Sequence, residues 1–572
     1  MKMSVNAAAV AKYEEWLNDP SIGEETKNEL RAIAGNETEI VDRFYRDLEF
    51  GTGGLRGVMG AGTNRMNAYT VGKATQGLAD WILSSKPAEP SVVIAHDSRN
   101  NSPEFALDAA LVLAANGITT YLFPSLRPTP QLSFSVRALK ATAGIVITAS
   151  HNPPEYNGYK AYNKDGCQLV PHEAEAAIGR IQQVTSFDQV QTISREEAEA
   201  QGLLRWLGEE ADEQFIETVA ACSVNPDLLK NGLGDRVSVV FTPLHGSGNL
   251  PVRGVLAKAG FSNVHIVPEQ EQPDGYFSTV KSPNPEEREA FTKAIALAKE
   301  VDADIIIGTD PDADRMGAVV RNTNGEYVVL SGNQSGAIMV YYLLSQLRDR
   351  GTLPSNGIVV KTIVTSEMGA DIARSFGVDV TNTLTGFKYI GEKMTQYQET
   401  GERTFLFGYE ESYGYLTGTY ARDKDAVVAS LLICEAAAYY KSQGKTLYDV
   451  LLELYAQYGT YLEGLQSRTL KGLDGVQKIG AIMNSWRTSP PSEIAGTSVD
   501  SVLDYSQGLD GLPAENVLKF LLSDGSWFCL RPSGTEPKIK IYFAVRGQSP
   551  DGAAANLERL TTAVMERVDQ LA

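Results

Sequence analysis

Short, mostly apolar runs alternate with stretches of helical periodicity along most of the chain. The clearest run covers residues 143–147, and others lie at 92–95, 237–241, 305–307, 358–364 and 404–407. Runs of this length that are apolar at nearly every position read as strands buried on both faces. Each ends in a polar loop followed by a helix-like stretch, the pattern of α/β layers whose ligand loops sit at the carboxyl ends of the strands. The pattern recurs in three blocks, so three successive α/β domains with mixed sheets are predicted at 46–205, 206–325 and 326–458. Further strand-like runs at 498–503, 517–522, 527–530 and 539–545, then a helix at 552–571, predict a smaller α+β domain over 459–572. These domains are expected to surround a central cleft. Residues 1–45 put Val10, Tyr13, Trp16 and Leu17 at helical spacing and read as a helical N-terminal extension without chemistry of its own.

A chain of 572 residues and 62.0 kDa is too long for a single core, which agrees with this division. No apolar run approaches the ~20 residues that cross a bilayer. The N-terminus lacks a basic-then-apolar signal segment, so the cytoplasm is the expected location and no membrane is an expected partner. Cys167, Cys222, Cys434 and Cys529 are too dispersed for a CxxC metal site or a disulfide framework and read as free thiols. A net charge of -20 and a pI near 4.9 argue against nucleic acid, which requires a basic surface. An anionic substrate would need its cations concentrated in one cleft.

Five loops carry candidate chemistry. Thr148, Ala149, Ser150, His151, Asn152 and Pro153 follow the run at 143–147, so the Ser150 hydroxyl is expected to be presented at a strand's mouth and not buried. The hexapeptide alone also reads as an Asn-Pro turn, and it lacks the flanking glycines of a nucleophile elbow. Asp310, Pro311, Asp312, Ala313, Asp314 and Arg315 place three carboxylates at alternate positions, which on an extended segment point to one side. Three such charges held close need a cation. A calcium loop is excluded, because its required sixth-position glycine and twelfth-position glutamate are Arg315 and Arg321 here. Oxygen ligands without a nearby histidine or cysteine point to magnesium.

Gly408, Tyr409, Glu410, Glu411, Ser412, Tyr413 and Gly414 offer carboxylates that accept from sugar hydroxyls or cap a helix. Lys424 follows, flanked by Asp423 and Asp425. Arg531, Pro532, Ser533, Gly534 and Thr535 combine a guanidinium, two hydroxyls and a glycine, the donor set a phosphate monoester takes, though a hydroxyl-rich hairpin turn has the same composition. The glycine-dense stretch from Phe50 to Gly57 carries Arg56, either as a backbone nest for an anion or as a tight entry turn. It is not a dinucleotide fingerprint, since Arg56 occupies the place of the third glycine.

In this order, the TASHNP, DPDADR, GYEESYG and RPSGTEP loops resemble those of the α-D-phosphohexomutase superfamily. The resemblance runs from about Phe50 to the C-terminus. With its extension and FGTGGLRG opening, the chain resembles the branch of bacterial phosphoglucomutases and phosphopentomutases more than the shorter phosphoglucosamine mutases. The resemblance implies a phosphoserine at Ser150, magnesium on Asp310, Asp312, Asp314 and Ser150, and sugar recognition by Glu410 and Ser412. It assigns the non-reacting phosphate to Arg531, Ser533, Gly534 and Thr535. Catalytic parts fall to His151, Lys160, Arg315 and Lys424, and Arg56, Thr385, Gly386 and Lys388 join the substrate-binding residues. The implied reaction interconverts glucose 1-phosphate and glucose 6-phosphate, with glucose 1,6-bisphosphate as intermediate and activator. Pentose and mannose phosphates are the alternative substrates, and a non-catalytic sugar-phosphate binder is the alternative of another class. Tyr409 stands where the family more commonly has glycine, which makes the shape of its loop a question for the structure.

Overall fold

The computed structural model describes residues 2–51, 53–470, 473–533 and 538–571. The first sheet comprises β1 (Leu55–Val58), β2 (Ser91–His96), β3 (Thr119–Leu122), β4 (Ala143–Ile147), β5 (Tyr156–Asn163) and β6 (Leu204–Trp206), in the order β1-β5-β4-β2-β3-β6. The second has β7 (Val239–Thr242), β8 (Val264–Ile266), β9 (Ile305–Thr309), β10 (Met316–Arg321) and β11 (Tyr327–Val329), in the order β11-β10-β9-β7-β8. The third has β12 (Gly357–Thr362), β13 (Asp379–Thr383), β14 (Thr404–Glu410) and β15 (Gly414–Thr417), in the order β13-β12-β14-β15.

One unit is common to all three sheets. A run of parallel strands, four in the first sheet and three in each of the others, ends at an antiparallel strand, β5 beside β4, β10 beside β9 and β15 beside β14. The Ser150 loop joins β4 to β5, the aspartate loop joins β9 to β10, and the Glu410 loop joins β14 to β15. Three chemically different loops thus occupy one topological position, at the carboxyl end of a parallel strand.

The predicted run at 237–241 settles two residues later, as Val239–Thr242, and the run at 358–364 leaves its sheet after Thr362. Ile363 and Val364 turn away because they pack, with Leu384, against Tyr505, Val517, Trp527 and Tyr542 of the last domain. The second and third sheets share one continuous core, through which the buried helix Ala426–Lys441 runs.

The last sheet is antiparallel: β16 (Thr460–Thr469), β17 (Glu493–Ile494), β18 (Thr497–Asp504), β19 (Leu518–Leu522), β20 (Trp527–Pro532) and β21 (Lys538–Gly547), ordered β16-β21-β20-β19-β18-β17. Its apolar residues alternate between two cores. Phe528, Leu530, Ile541 and Phe543 face helices Leu473–Thr488 and Pro550–Leu571, whereas Trp527, Cys529, Tyr542 and Ala544 face the third domain. Burial on both faces explains why residues 527–530 read as an unbroken apolar run. Lys519 pins the junction, its ammonium donating to the Ile363 carbonyl at 2.6 Å.

The N-terminal extension forms three helices, α1 (Lys2–Asn18), α2 (Glu24–Ala32) and α3 (Glu37–Phe44). Trp16 is their anchor, with Phe44, Tyr69 and Phe187 edge-on around it at 5.3–5.6 Å. The extension is thereby fastened to the first α/β layer. Among the described residues, no helix is long and apolar enough to cross a membrane, and the four cysteines are free.

Candidate active site

The Ser150 loop and the aspartate loop meet face to face. Ser150 Oγ donates to Asp310 Oδ2 at 2.7 Å, and the side chain of Thr129 donates to Asp312 Oδ2 at 2.8 Å. Ser150 is only 4% exposed, contrary to the expectation of a presented hydroxyl. The strand does end there, but the second domain brings Asp310 onto the hydroxyl and covers it.

The aspartate segment is also not extended. Ala313 adopts a left-handed φ of 50°, and its amide donates to the Asp310 carbonyl at 2.9 Å, making a tight turn. The amides of Asp314 and Arg315 then donate to Asp310 Oδ1 at 3.1 and 3.0 Å. Convergence of the carboxylates therefore comes from a turn and not from strand alternation. All three are buried, with one oxygen of each lying within 4.8 Å of the others.

Two unit charges ~4 Å apart repel by about 4 kcal/mol at an effective dielectric constant of about 20, so this cluster requires compensation. Lys160, on β5, supplies part of it at 2.7 Å from Asp312 and 3.2 Å from Asp314. Lys424 lies 2.9 Å from Asp314. Burial would raise the Asp314 carboxyl, but Lys424, Lys160 and Arg315 hold it well below the usual range. Burial, then Asp312 and Asp314, push Asp310 well above that range. Asp312 Oδ1 and Asp314 Oδ1 are buried without a hydrogen-bond partner. Buried carboxylate oxygens without a partner, converging as an all-oxygen ligand set, suit a hard divalent cation, so the residues fit a metal.

Other expected residues close around this pair of loops. His151 Nδ1 is 3.2 Å from Ser150 Oγ, and burial, with Arg315 and Arg56 nearby, pushes the imidazole pKa well below its ordinary value. Arg315 is held by Glu286 at 2.6 Å. Arg56, exposed on β1, donates to Asn152 Oδ1 at 3.3 Å.

Glu410, at the end of β14, accepts the Gly386 amide at 2.8 Å. Burial pushes its carboxyl up to about 7, with Lys424 and Arg315 pulling the other way. Ser412 lies half-buried two residues on. Gly386, at φ 123°, begins the helix Phe387–Thr400, and the neighbouring Thr385 hydroxyl is buried without a partner. Tyr409 is fully buried. Its ring points into the core against Gly336 and Gly369, where a Cβ would come within 2.5 and 2.1 Å of it.

A second group of cations lies toward the last domain. Arg531 pairs with Glu515 at 2.8 Å, and both act electrostatically on Lys388, whose pKa burial lowers. The Ser533 amide donates to the Lys538 carbonyl at 2.7 Å. Gly534 and Thr535 lie outside the described residues.

The structure thus gathers Ser150, His151, Lys160, the three aspartates, Arg315, Lys424 and Arg56 in one crevice, with Glu410 and Gly386 beside them. Arg531 and Lys388 stand in a separate cluster. Sequence reasoning missed Thr129, Glu286 and Asp423, the last accepting from Tyr162 at 2.8 Å and standing 3.5 Å from Lys424. Only Asp423 had a signal, its place beside Lys424.

A buried serine thus lies against a carboxylate triad ringed by cations, where loops of the first two domains meet. Four domain models of one family match in order: phosphoglucomutase/phosphomannomutase alpha/beta/alpha domain I over residues 47–188, domain II over 213–325, domain III over 331–458, and the C-terminal domain over 487–556. The chain belongs to the phosphoglucomutase/phosphomannomutase family, and it is a mutase of the isomerase class. A phosphoglucomutase of Staphylococcus haemolyticus is 39% identical over 88% of this chain and 91% of its own length. One of Staphylococcus aureus is 38% identical over 92% and 94%. Among solved structures, the open form of the Paramecium phosphoglucomutase pp63/parafusin shares the fold with a TM-score of 0.70, at 18% identity over 92% of this chain and 96% of that one.

Proposed function

We propose that the chain interconverts α-D-glucose 1-phosphate and glucose 6-phosphate through a phosphoserine at Ser150. The observation that carries the reading is the 2.7 Å contact of Ser150 Oγ with Asp310 inside a cluster that also holds Lys160 and Lys424. Phosphoryl transfer asks a protein mainly for positioning and for charge to meet the phosphoryl oxygens, and this cluster supplies both. Asp310, Asp312 and Asp314, with the Ser150 oxygen, would hold a magnesium ion, which would neutralise charge on the phosphoryl group.

Ser150 gives its phosphoryl group to the free hydroxyl of the sugar phosphate, making glucose 1,6-bisphosphate. The bisphosphate turns end for end and returns its other phosphoryl group to Ser150. Arg315 and Lys424 face the transferring group, and His151 or Lys160 carries the proton of the sugar hydroxyl. Glu410, Ser412, Thr385 and Gly386 hold the sugar hydroxyls. Arg531 and Ser533, with Gly534 and Thr535, hold the phosphate that does not react, with Lys388 beside them, while Arg56 serves the phosphate at Ser150. Both ends of the bisphosphate visit the same two sub-sites, so charge and hydroxyl recognition serve where an extended apolar pocket would not.

Coupled assays on glucose, mannose and ribose 1-phosphates test the reading. Glucose 1-phosphate is expected to have the highest kcat/KM, and a higher value for the pentose would replace the reading with a phosphopentomutase. Glu410→Gln is expected to lower kcat/KM at least about tenfold, since a hydrogen bond to a charged group contributes about 1.5–3 kcal/mol. An unchanged kcat/KM would remove Glu410 from the sugar site.

A further inference from the structure

Ser150 lies in the left-handed region at φ 53°, a strained conformation for a residue with a side chain, and one that persists only where the surroundings over-determine it. Two buried residues of the preceding strand-end loop do so. The Ser150 amide donates to Thr148 Oγ1 at 2.8 Å, and the Thr148 hydroxyl donates in turn to Asp97 Oδ2 at 2.6 Å. On the other side, Arg99 Nη2 donates to the Ser150 carbonyl at 2.5 Å. Arg99 Nε, 3.2 Å from Asp97 Oδ2, closes the ring.

The same guanidinium donates to the carbonyls of Asn152 at 2.6 Å, Pro153 at 2.8 Å and Tyr156 at 3.1 Å. Four carbonyls of one loop converge on one planar fork, a geometry that an ammonium cannot reproduce. Asp97 is itself fixed by Ser102 Oγ at 2.8 Å and the Arg99 amide at 2.9 Å. Both side chains are wholly excluded from solvent. Neither reaches the crevice, so neither can touch substrate, and an apolar side chain would fill the same volume without the cost of burying charge. Their contacts instead hold the backbone of Ser150 and of the residues that follow it.

The second domain secures the arrangement from behind. The Phe277 ring lies 5.0 Å from the Arg99 guanidinium carbon, and Phe277 is itself left-handed at φ 49°. Gly275 lets that segment approach, since a Cβ there would come within 2.4 Å of Asn100 Oδ1. The domain that supplies the aspartates therefore also clamps the guanidinium that holds the serine.

We propose that Asp97 and Arg99 are a positioning pair, capped by Phe277, that fixes the Ser150 backbone so that one oxygen serves two phosphoryl transfers of opposite sense. The inference rests on the reading of Ser150 as the phosphoryl carrier. Thr148→Val severs the amide arm at nearly constant volume, Arg99→Lys keeps the charge but not the fork, and Phe277→Leu removes the cap. Thr148→Val and Arg99→Lys are expected to lower kcat by about 10- to 100-fold, with KM for glucose 1-phosphate within about twofold. Phe277→Leu should lower kcat by about tenfold in the same pattern.

The phosphoenzyme, formed with glucose 1,6-bisphosphate and verified by intact mass, gives a readout that loss of stability would not move. Its ³¹P resonance should shift toward that of free phosphoserine in folded Thr148→Val. Near wild-type kcat in all three variants, or losses confined to KM, would overturn the pair. If wild-type protein takes up no phosphoryl group, the reading of Ser150 fails separately, and a crystal structure of Thr148→Val still decides the inference. Ser150 remaining near φ 53° overturns it, and a return to negative φ supports it.

Discussion

Ser150→Ala is expected to lower conversion of glucose 1-phosphate to glucose 6-phosphate by at least about four orders of magnitude, as losing a covalent nucleophile does elsewhere. The change removes a single oxygen, which donates to Asp310 at 2.7 Å. Ser150 is almost fully buried and the replacement is smaller, so the fold should survive, with circular dichroism and the thermal transition close to wild type. Folded protein with near wild-type turnover would mean that phosphate passes to the sugar by another route, and the covalent account would fail.

Asp312→Asn is the second large effect. The substitution keeps an oxygen for the Thr129 hydroxyl at 2.8 Å but removes the charge that Lys160 meets at 2.7 Å. It also alters a group whose Oδ1 is buried without a partner. Turnover should fall at least about a hundredfold, since even an outer partner of a metal site is worth 10- to 100-fold in affinity or activity. The magnesium concentration for half-maximal activity should rise with it, while the thermal transition moves little. In the wild type, a chelator should abolish turnover and added magnesium restore it. An Asp312→Asn protein with the wild-type magnesium requirement would contradict the assignment of the triad.

Much of the fold is legible because apolar runs and strands coincide wherever a strand is buried on both faces. Ala143–Ile147 is such a strand, and the alternation in Trp527–Pro532 between two cores shows why a continuous run was needed there. The antiparallel partner β5 is less legible. Its Tyr-Asn-Gly-Tyr-Lys-Ala-Tyr-Asn sequence is polar, yet nearly all of it is buried, because Lys160, Asn157 and Tyr162 find charged or hydrogen-bonding partners inside. β16 escapes notice for the opposite reason, since much of it is exposed and imposes no apolar pattern.

At the site, the residue types point to the chemistry, while the geometry that joins them comes from tertiary contacts. Nothing in the local sequence places Ala313 in a left-handed turn, brings Asp310 over Ser150 from another domain, or sends the Tyr409 ring between Gly336 and Gly369. Arg99 is the extreme case. Its neighbours in sequence suggest a surface loop, and only the fold shows its guanidinium buried against the carbonyls that flank the serine. The acidic composition required cations to be gathered in one place, and Lys160, Arg315 and Lys424 meet that requirement around the triad.

Peptide mapping of the phosphorylated protein tests the whole account most directly. Wild-type protein and Ser150→Ala are incubated with glucose 1,6-bisphosphate, weighed intact, digested and sequenced by mass spectrometry. The account predicts one added phosphoryl group, on Ser150, in the wild type and none in the variant. A phosphoryl group on any other residue, or an unmodified Ser150 in protein that turns over at full rate, would contradict it.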